Sequence, residues 1–356
     1  MEQDVTTPDF SLRYPGGRTG FLLIHGLGGT PVEMRVVARA LHRAGHTVHC
    51  PQLAGHCAGE AELLATGWRD WAQSVFDELD RMRAICDRVI VGGLSMGAVM
   101  AMHVAAARPE GVDGLALYAP TLWYDGWSIP RYSFLLKWLI KTPFARRYSF
   151  VEREPYGVKD LRARSVITAA ITRGNSAEAG LLGTPSGALQ QMWALIAQTR
   201  REMPTIRCPA LLLHAREDDI ASLSNAFYIQ RHLGGLVDAV ILDDSYHLVT
   251  IDQQRDIVIE RSLALATRLE AAAAQEKAVG LRVVAAELPR FRHGSRPAWR
   301  TWTLRPGMPA CRGRRSAMPI TSPVKRRPRP RASACAWRRS SWKRPARSLP
   351  SPRSSA

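Results

Sequence analysis

Apolar residues along the first 275 or so positions fall into two alternating rhythms. Short aliphatic or β-branched runs predict strands at Gly20 to Ile24 (GFLLI), Thr47 to Cys50 (TVHC), Arg88 to Val91 (RVIV), Gly114 to Tyr118 (GLALY), Ala210 to Leu213 and Ala239 to Leu242. Between them, apolar positions at helical spacing predict helices over Pro31 to Arg43, Trp68 to Ile85, Met96 to Ala107, near Leu223 to His232, and from about Ile251 to Ala274. Such alternation predicts a mostly parallel sheet with helices on both faces and right-handed crossovers.

The rhythm breaks in two places. Roughly Thr121 to Thr205 is too long for a simple strand-to-helix loop and too apolar to lack structure. Trp123, Trp127, Phe134, Leu135, Trp138 and Leu139 crowd its first half, and Leu189, Met192, Trp193 and Ile196 mark one face of a helix that Ser186 would cap. This segment is expected to form a helical lid. From about residue 281 Arg, Pro, Ser and Ala recur without period and with too little aliphatic content for a core, so disorder is expected.

Charge sharpens that boundary. The chain carries +18, but residues 281 to 356 hold 20 Lys/Arg and a single acid, Glu287, so the tail is +19 and the preceding 280 residues −1. A nucleic-acid or membrane partner is therefore not expected for the body of the chain. The tail is either a polybasic arm for polyanions such as nucleic acid or anionic lipid, or a non-native extension of the kind that GC-rich DNA read in the wrong frame produces. The second reading is preferred. The six cysteines make no C-x-x-C pair and no zinc-type spacing, and the N-terminus MEQDVTTPDF has neither a basic nor an apolar signal region. A cytoplasmic protein without disulfides, metal or cofactor is expected.

The candidate chemistry begins in RVIVGGLSMGAVMAMH. Ser95 stands between a predicted strand and a predicted helix, with Gly93 and Gly97 two residues to either side. This is the pattern of a nucleophile elbow, whose tight turn tolerates no side chains at the flanking positions. A serine hydroxyl needs a base, and the base an orienting carboxylate; in the fold that carries such an elbow they follow in the chain order Ser, Asp/Glu, His, each on a loop after a strand. That order removes His25, His42, His46, His49 and His56. His103 lies on the helix after the elbow, His214 precedes any suitable acid, His232 ends a helix and His293 is in the tail; His247, directly after the strand AVILDD, is the candidate base. The acid should come from HAREDDIAS, where Glu217, Asp218 and Asp219 are available; Asp218 is favoured, and the unused neighbour is expected to be a solvated loop carboxylate. Two backbone amides must face the oxyanion: Met96, at the start of its helix, and Leu27, in the Gly-rich loop after the first strand.

With these pieces in place, LLIHGLGGTPVEM, VIVGGLSMGAVMAMHVAA, LALYAPTL, PALLLHAREDDIAS and DDSYHLVTIDQQRD, in that order, make the chain resemble the α/β-hydrolase superfamily, and within it the bacterial carboxylesterases and monoacylglycerol lipases. The resemblance covers about residues 18 to 275. It implies an α/β-hydrolase core over 1–120 and 206–278, a lid over 121–205, and a basic tail over 279–356 outside the resemblance. It implies a serine carboxylic ester hydrolase with Ser95, Asp218 and His247 as triad, Leu27 and Met96 as oxyanion donors, and a small-molecule acyl ester as substrate. Trp123, Trp127, Met192, Trp193 and Ile196 are the expected substrate contacts, favouring short- to medium-chain esters or monoacylglycerols. The sequence departs from the family in two places. Gly55-His56-Cys57 replaces the usual Gly-His-Gly, with His56 expected to be structural, and Ala98 replaces a third elbow glycine. A thioesterase or lysophospholipase is the nearest alternative within hydrolases; a binding protein working through the basic tail is the alternative from another class.

Overall fold

Strands covered on both faces read as unbroken apolar runs, and that is how most of the strands here lie. The computed structural model describes residues 8–130, 148–151, 154–172, 180–181 and 183–287, with 170–172 and 276–287 described as backbone only. The strands are β1 (Leu12–Tyr14), β2 (Gly17–Ile24), β3 (His46–Cys50), β4 (Arg88–Leu94), β5 (Gly114–Tyr118), β6 (Ser149–Val151), β7 (Gly183–Pro185), β8 (Ala210–Ala215) and β9 (Val237–Leu242). One sheet has the order β1-β3-β2-β4-β5-β8-β9; β1 pairs antiparallel with β3, and every other pairing in it is parallel.

The helices are α1 (Arg35–Arg43), α2 (Glu60–Leu64), α3 (Trp68–Ile85), α4 (Met96–Ala107), α5 (Leu161–Thr172), α6 (Ser186–Glu202), α7 (Leu223–His232) and α8 (Arg255–Glu287). Alternate residues of each central strand enter opposite cores. Leu22, Ile24, Val91, Leu117 and Leu212 join Trp71, Val75, Met100, Met192 and Ile229 from α3, α4, α6 and α7. Phe21, Leu23, Ile90, Leu211 and Leu213 join Val37, Leu41, Val258 and Leu265 from α1 and α8. Each such side chain contributes about 1.5–3 kcal/mol by leaving water.

β5 and β8 are sheet neighbours, with Leu115 opposite Ala210, so the long interruption leaves and rejoins the sheet at adjacent strands. Within it, β6 and β7 pair antiparallel and α6 packs in the same core as α4.

Several expectations need correction. Thr30 caps a short 3-10 turn, Pro31–Met34, before α1 begins. Ser186 does not cap α6: it is the helix's first residue, and Pro185 holds the capping position. β4 continues through Gly92 and Gly93 to Leu94, because its parallel pairing with β2 and β5 extends that far. The last helix starts at Arg255 rather than Ile251 and runs to Glu287, so residues 279–287 are helical where disorder was expected. The tail beyond residue 287, with its charge, and Phe134, Leu135, Trp138 and Leu139 lie outside the described residues. No helix among the described residues is long and apolar enough to cross a membrane.

Candidate active site

Ser95 occupies the turn between β4 and α4 with φ 56 and ψ −114, a left-handed conformation that an L-residue holds only under constraint. Its amide donates to the Tyr118 carbonyl at 2.9 Å and its carbonyl accepts from Ala98 at 3.2 Å. The flanking glycines are a steric necessity. A Cβ on Gly93 would lie 2.6 Å from the Ile24 carbonyl oxygen, and one on Gly97 would run into the carbonyl oxygens of Ile24 and His25. Every residue of α4 from Met96 to Ala105 is buried, Ala98 among them. The Ser95 hydroxyl touches Thr121 Oγ1 at 3.1 Å, and Thr121 also donates to the Ala119 carbonyl at 3.3 Å. Nothing in the sequence pattern signals Thr121; only the pairing of β4 with β5 brings it there.

Asp218 and His247 follow β8 and β9, so Ser95, Asp218 and His247 all lie at the carboxyl-end rim of the sheet. His247 Nδ1 donates to Asp218 Oδ2 at 2.8 Å, with Oδ1 at 3.0 Å. Since the carboxylate can only accept, Nδ1 holds the proton and Nε2 is left as the basic nitrogen. Asp218 Oδ1 also accepts from Ile220 and Ala221, which fixes the acid's loop. Burial works to raise the Asp218 carboxyl, but the His247 charge and hydrogen bond, helped by His214 and the Ala221 amide, hold it below the ordinary carboxylate value. His214, at the end of β8, lies behind the acid. Its Nε2 donates to the Ala221 carbonyl at 2.7 Å and is 3.4 Å from Asp218 Oδ2, and burial lowers its basicity against the pull of the Asp218 charge.

Asp219 departs from expectation. It is 1% exposed, not a solvated loop carboxylate. Its Oδ1 accepts from the His247 amide at 3.3 Å and its Oδ2 from the Gly157 amide at 3.2 Å. Asp252, fully buried, accepts from the amides of Lys159, Asp160 and Tyr246 at 2.6–3.0 Å. Glu217 pairs at the surface with Lys159.

On the other side of Ser95, the loop His25 to Gly29 lies so close that a Cβ on Gly26 would be 3.9 Å from Ser95 Cβ. The Gly26 amide donates to Glu33 Oε2 at 2.8 Å, and His25 Nδ1 donates to the Gly26 carbonyl at 2.9 Å. Among the described residues the Leu27 and Met96 amides have no protein acceptor. Met192 and Ile196 are buried in the same apolar cluster as Met96, with Trp123 and Trp193 packed on its margin. Trp127 stands apart at 59% exposed, its indole donating to the Glu217 carbonyl. No group of three or more His, Cys, Asp or Glu among the described residues is placed to hold a metal ion.

A strained serine on a parallel-strand-to-helix turn is a family signature, and the family model described as serine aminopeptidase, S33, matches residues 18–254. The chain belongs to this hydrolase family. Relatives agree. A thermostable monoacylglycerol lipase of Bacillus sp. (strain H-257) is 29% identical over 69% of this chain and 90% of its own length. A carboxylesterase of Bacillus subtilis (strain 168) is 25% identical over 71% of this chain and 94% of its own. A solved structure from work on LipS and LipT, two metagenome-derived lipolytic enzymes, superposes with a TM-score of 0.60 at 27% identity, covering 72% of this chain and 97% of that one. The family's usual Gly-His-Gly also explains an oddity: Cys57 has φ 67, so the backbone at this position asks for the glycine that the chain lacks. His56 is buried edge-on against Trp71 and His25, a packing position.

Proposed function

We propose that this family member cleaves carboxylic esters through an acyl-enzyme on Ser95, with His247 as base and Asp218 as its orienting acid. Ester hydrolysis is the activity of the family's lipase and esterase relatives, and a small-molecule ester is the substrate. His247 Nε2 takes the Ser95 proton as Oγ attacks the ester carbonyl, and returns it to the departing alcohol. Water then attacks the acyl-enzyme by the same route and releases the acid. The Leu27 and Met96 amides face the oxyanion, a role supported by their lack of acceptors among the described residues at the start of α4 and in the loop beside Ser95. Asp218 stabilises the imidazolium that forms.

The observation that bears most weight is the 2.8 Å contact of His247 Nδ1 with a buried Asp218, on the rim that holds the strained Ser95. Residues 121–205 act as a lid, and Met192, Ile196, Trp123 and Trp193 line an acyl pocket. Their apolar character favours short- to medium-chain esters and monoacylglycerols. A fluorophosphonate probe tests the mechanism: it should label Ser95 in the wild-type chain and fail in Ser95→Ala. A panel of p-nitrophenyl, glyceryl and CoA esters tests the substrate class; preference for the CoA esters would redirect the reading to a thioesterase.

A further inference from the structure

The acid that His247 does not use as its ring partner has a place of its own. Asp219 is nearly inaccessible, yet among the described residues it makes no ion pair: its two carboxylate oxygens are spent on two main-chain amides from distant parts of the chain, His247 and Gly157. The chain around these amides interlocks further. Leu248 donates to the Gly157 carbonyl at 2.8 Å, and a Cβ on Gly157 would meet His247 Cβ at 3.3 Å. Gly157 has φ 70, so the close approach and the backbone geometry both call for glycine. The Asp219 carbonyl, in turn, accepts from the Ser128 amide at 3.1 Å and the Ser128 hydroxyl at 2.6 Å, and a Cβ on Gly126 would overlap Asp219 backbone. One residue therefore grips the inserted segment at 126–128 and at 157 as well as the histidine.

We propose that Asp219 is a positioning residue for His247: its carboxylate fixes the histidine's main chain and ties it to the inserted segment, while Asp218 fixes the ring. The proposal rests on the reading of His247 as the base. A hydrogen bond on the ring alone leaves the imidazole free to swing with its loop, and a displacement of about 1 Å in a catalytic group costs up to about 100-fold in rate. A carboxylate is suited to the task because it accepts two amides at once, which an asparagine side chain cannot do without turning an N–H toward one of them.

The same charge acts on the ring. Among the described residues, the charged and titratable groups around His247 include Asp218 on Nδ1, His214 behind Asp218 at the end of β8, Asp219 on the main chain, and Asp252 on the neighbouring Tyr246 amide. Lys159, from the inserted segment, is held away by Glu217 and Asp244. Asp219 is raised by burial, against the pull of the His247 charge. By reciprocity the carboxylate favours imidazolium, so removing it lowers the pH at which His247 gives up its proton.

The test compares the wild-type chain with Asp219→Asn on p-nitrophenyl butyrate. The expected result is a kcat about tenfold lower with KM changed by less than about threefold, and an acid limb of kcat/KM moved down by about half a pH unit. A folded Asp219→Asn with wild-type kcat overturns the proposal, as does one with lower kcat and an unmoved acid limb. If Asp219→Asn does not fold, Ser128→Ala removes one exposed hydroxyl contact to the same residue. Hydrogen exchange should then rise together in peptides spanning 155–158 and 245–249, and a rise confined to the segment around residue 128 overturns the proposal. Fluorophosphonate labelling of the wild-type chain separates the two readings. A labelled Ser95 with an unaffected Asp219→Asn removes only the role of Asp219; an unlabelled Ser95 removes the active-site reading and this one with it.

Discussion

Around Ser95 the chain is fixed by main chain packed on main chain, whereas around His247 it is fixed by buried carboxylates that collect amide hydrogens. On the first side Gly93 sits against the carbonyl oxygens of Ile24 and Gly97, Gly97 against those of Ile24 and His25, and α4 behind them is buried from Met96 to Ala105. On the second, Asp218, Asp219 and Asp252 bond across to the loop after β9 and to residues 157–160 of the insertion. Close packing has no tolerance in volume but is indifferent to charge. A carboxylate clamp tolerates small movements but depends on its ionisation and on a segment far away in the sequence. The proposed nucleophile should therefore respond to substitutions that add atoms, and the proposed base to substitutions that remove charge.

Replacing Ser95 by Ala should give the largest effect, a loss of ester turnover of at least about 10⁴-fold with unchanged thermal stability, read from kcat and a melting curve. Gly97→Ala adds one methyl group where the Ile24 and His25 carbonyls leave no room. It should lower stability by about 3 kcal/mol or more in urea denaturation and take activity with it, whereas a well-behaved Gly97→Ala would break the packing half of the comparison. Asp252→Asn sharpens the other half. It keeps the volume but sets an amide N–H against backbone donors, and should cost about 1–3 kcal/mol together with a fall in kcat.

Smaller effects come from protons and from one misplaced side chain. Burial lowers His25 to about 3, with the His56 charge adding to it, and lowers His56 to about 4. An exposed histidine takes its proton near 6.5, so between about pH 6.5 and pH 4 the unfolded chain binds protons that the folded chain refuses, and stability falls as the pH falls. His56 accounts for up to about 3 kcal/mol of that slope, and His56→Gln should flatten urea midpoints measured across this window. Cys57→Gly relieves the left-handed backbone at a position outside both holding systems. It should raise stability by about 0.5–1 kcal/mol and leave kcat unchanged.

Much of this was legible in the sequence because buried parallel strands leave long apolar runs, as in GFLLI and GLALY, and because an elbow demands glycines at fixed offsets. Other features were hidden for identifiable reasons. β1 has three residues and exists through its pairing with β3. β6 and β7 are also three residues each, joined across more than thirty positions of chain, so neither has a local signal. Adjacent aspartates at 218 and 219 look alike in sequence; one turns its carboxylate to an imidazole and the other to two amides, a difference set by loop direction and not by composition. The contacts of Asp252 and Thr121 likewise depend on neighbours from other segments.

The burial of α4 from Met96 to Ala105 has a consequence for when the enzyme becomes reactive. From Met96 to Ala105 this helix has no wet face, so it cannot be stable before its neighbours arrive, and one of them, α6, is made from residues that follow the sheet strand β5 by some seventy positions. Until that docking, Ser95 has no reason to keep a left-handed backbone and is chemically an ordinary serine. A nascent or partly refolded chain is thus harmless to the esters around it, and probe reactivity during refolding should switch on in step with burial of tryptophan, as a single late event.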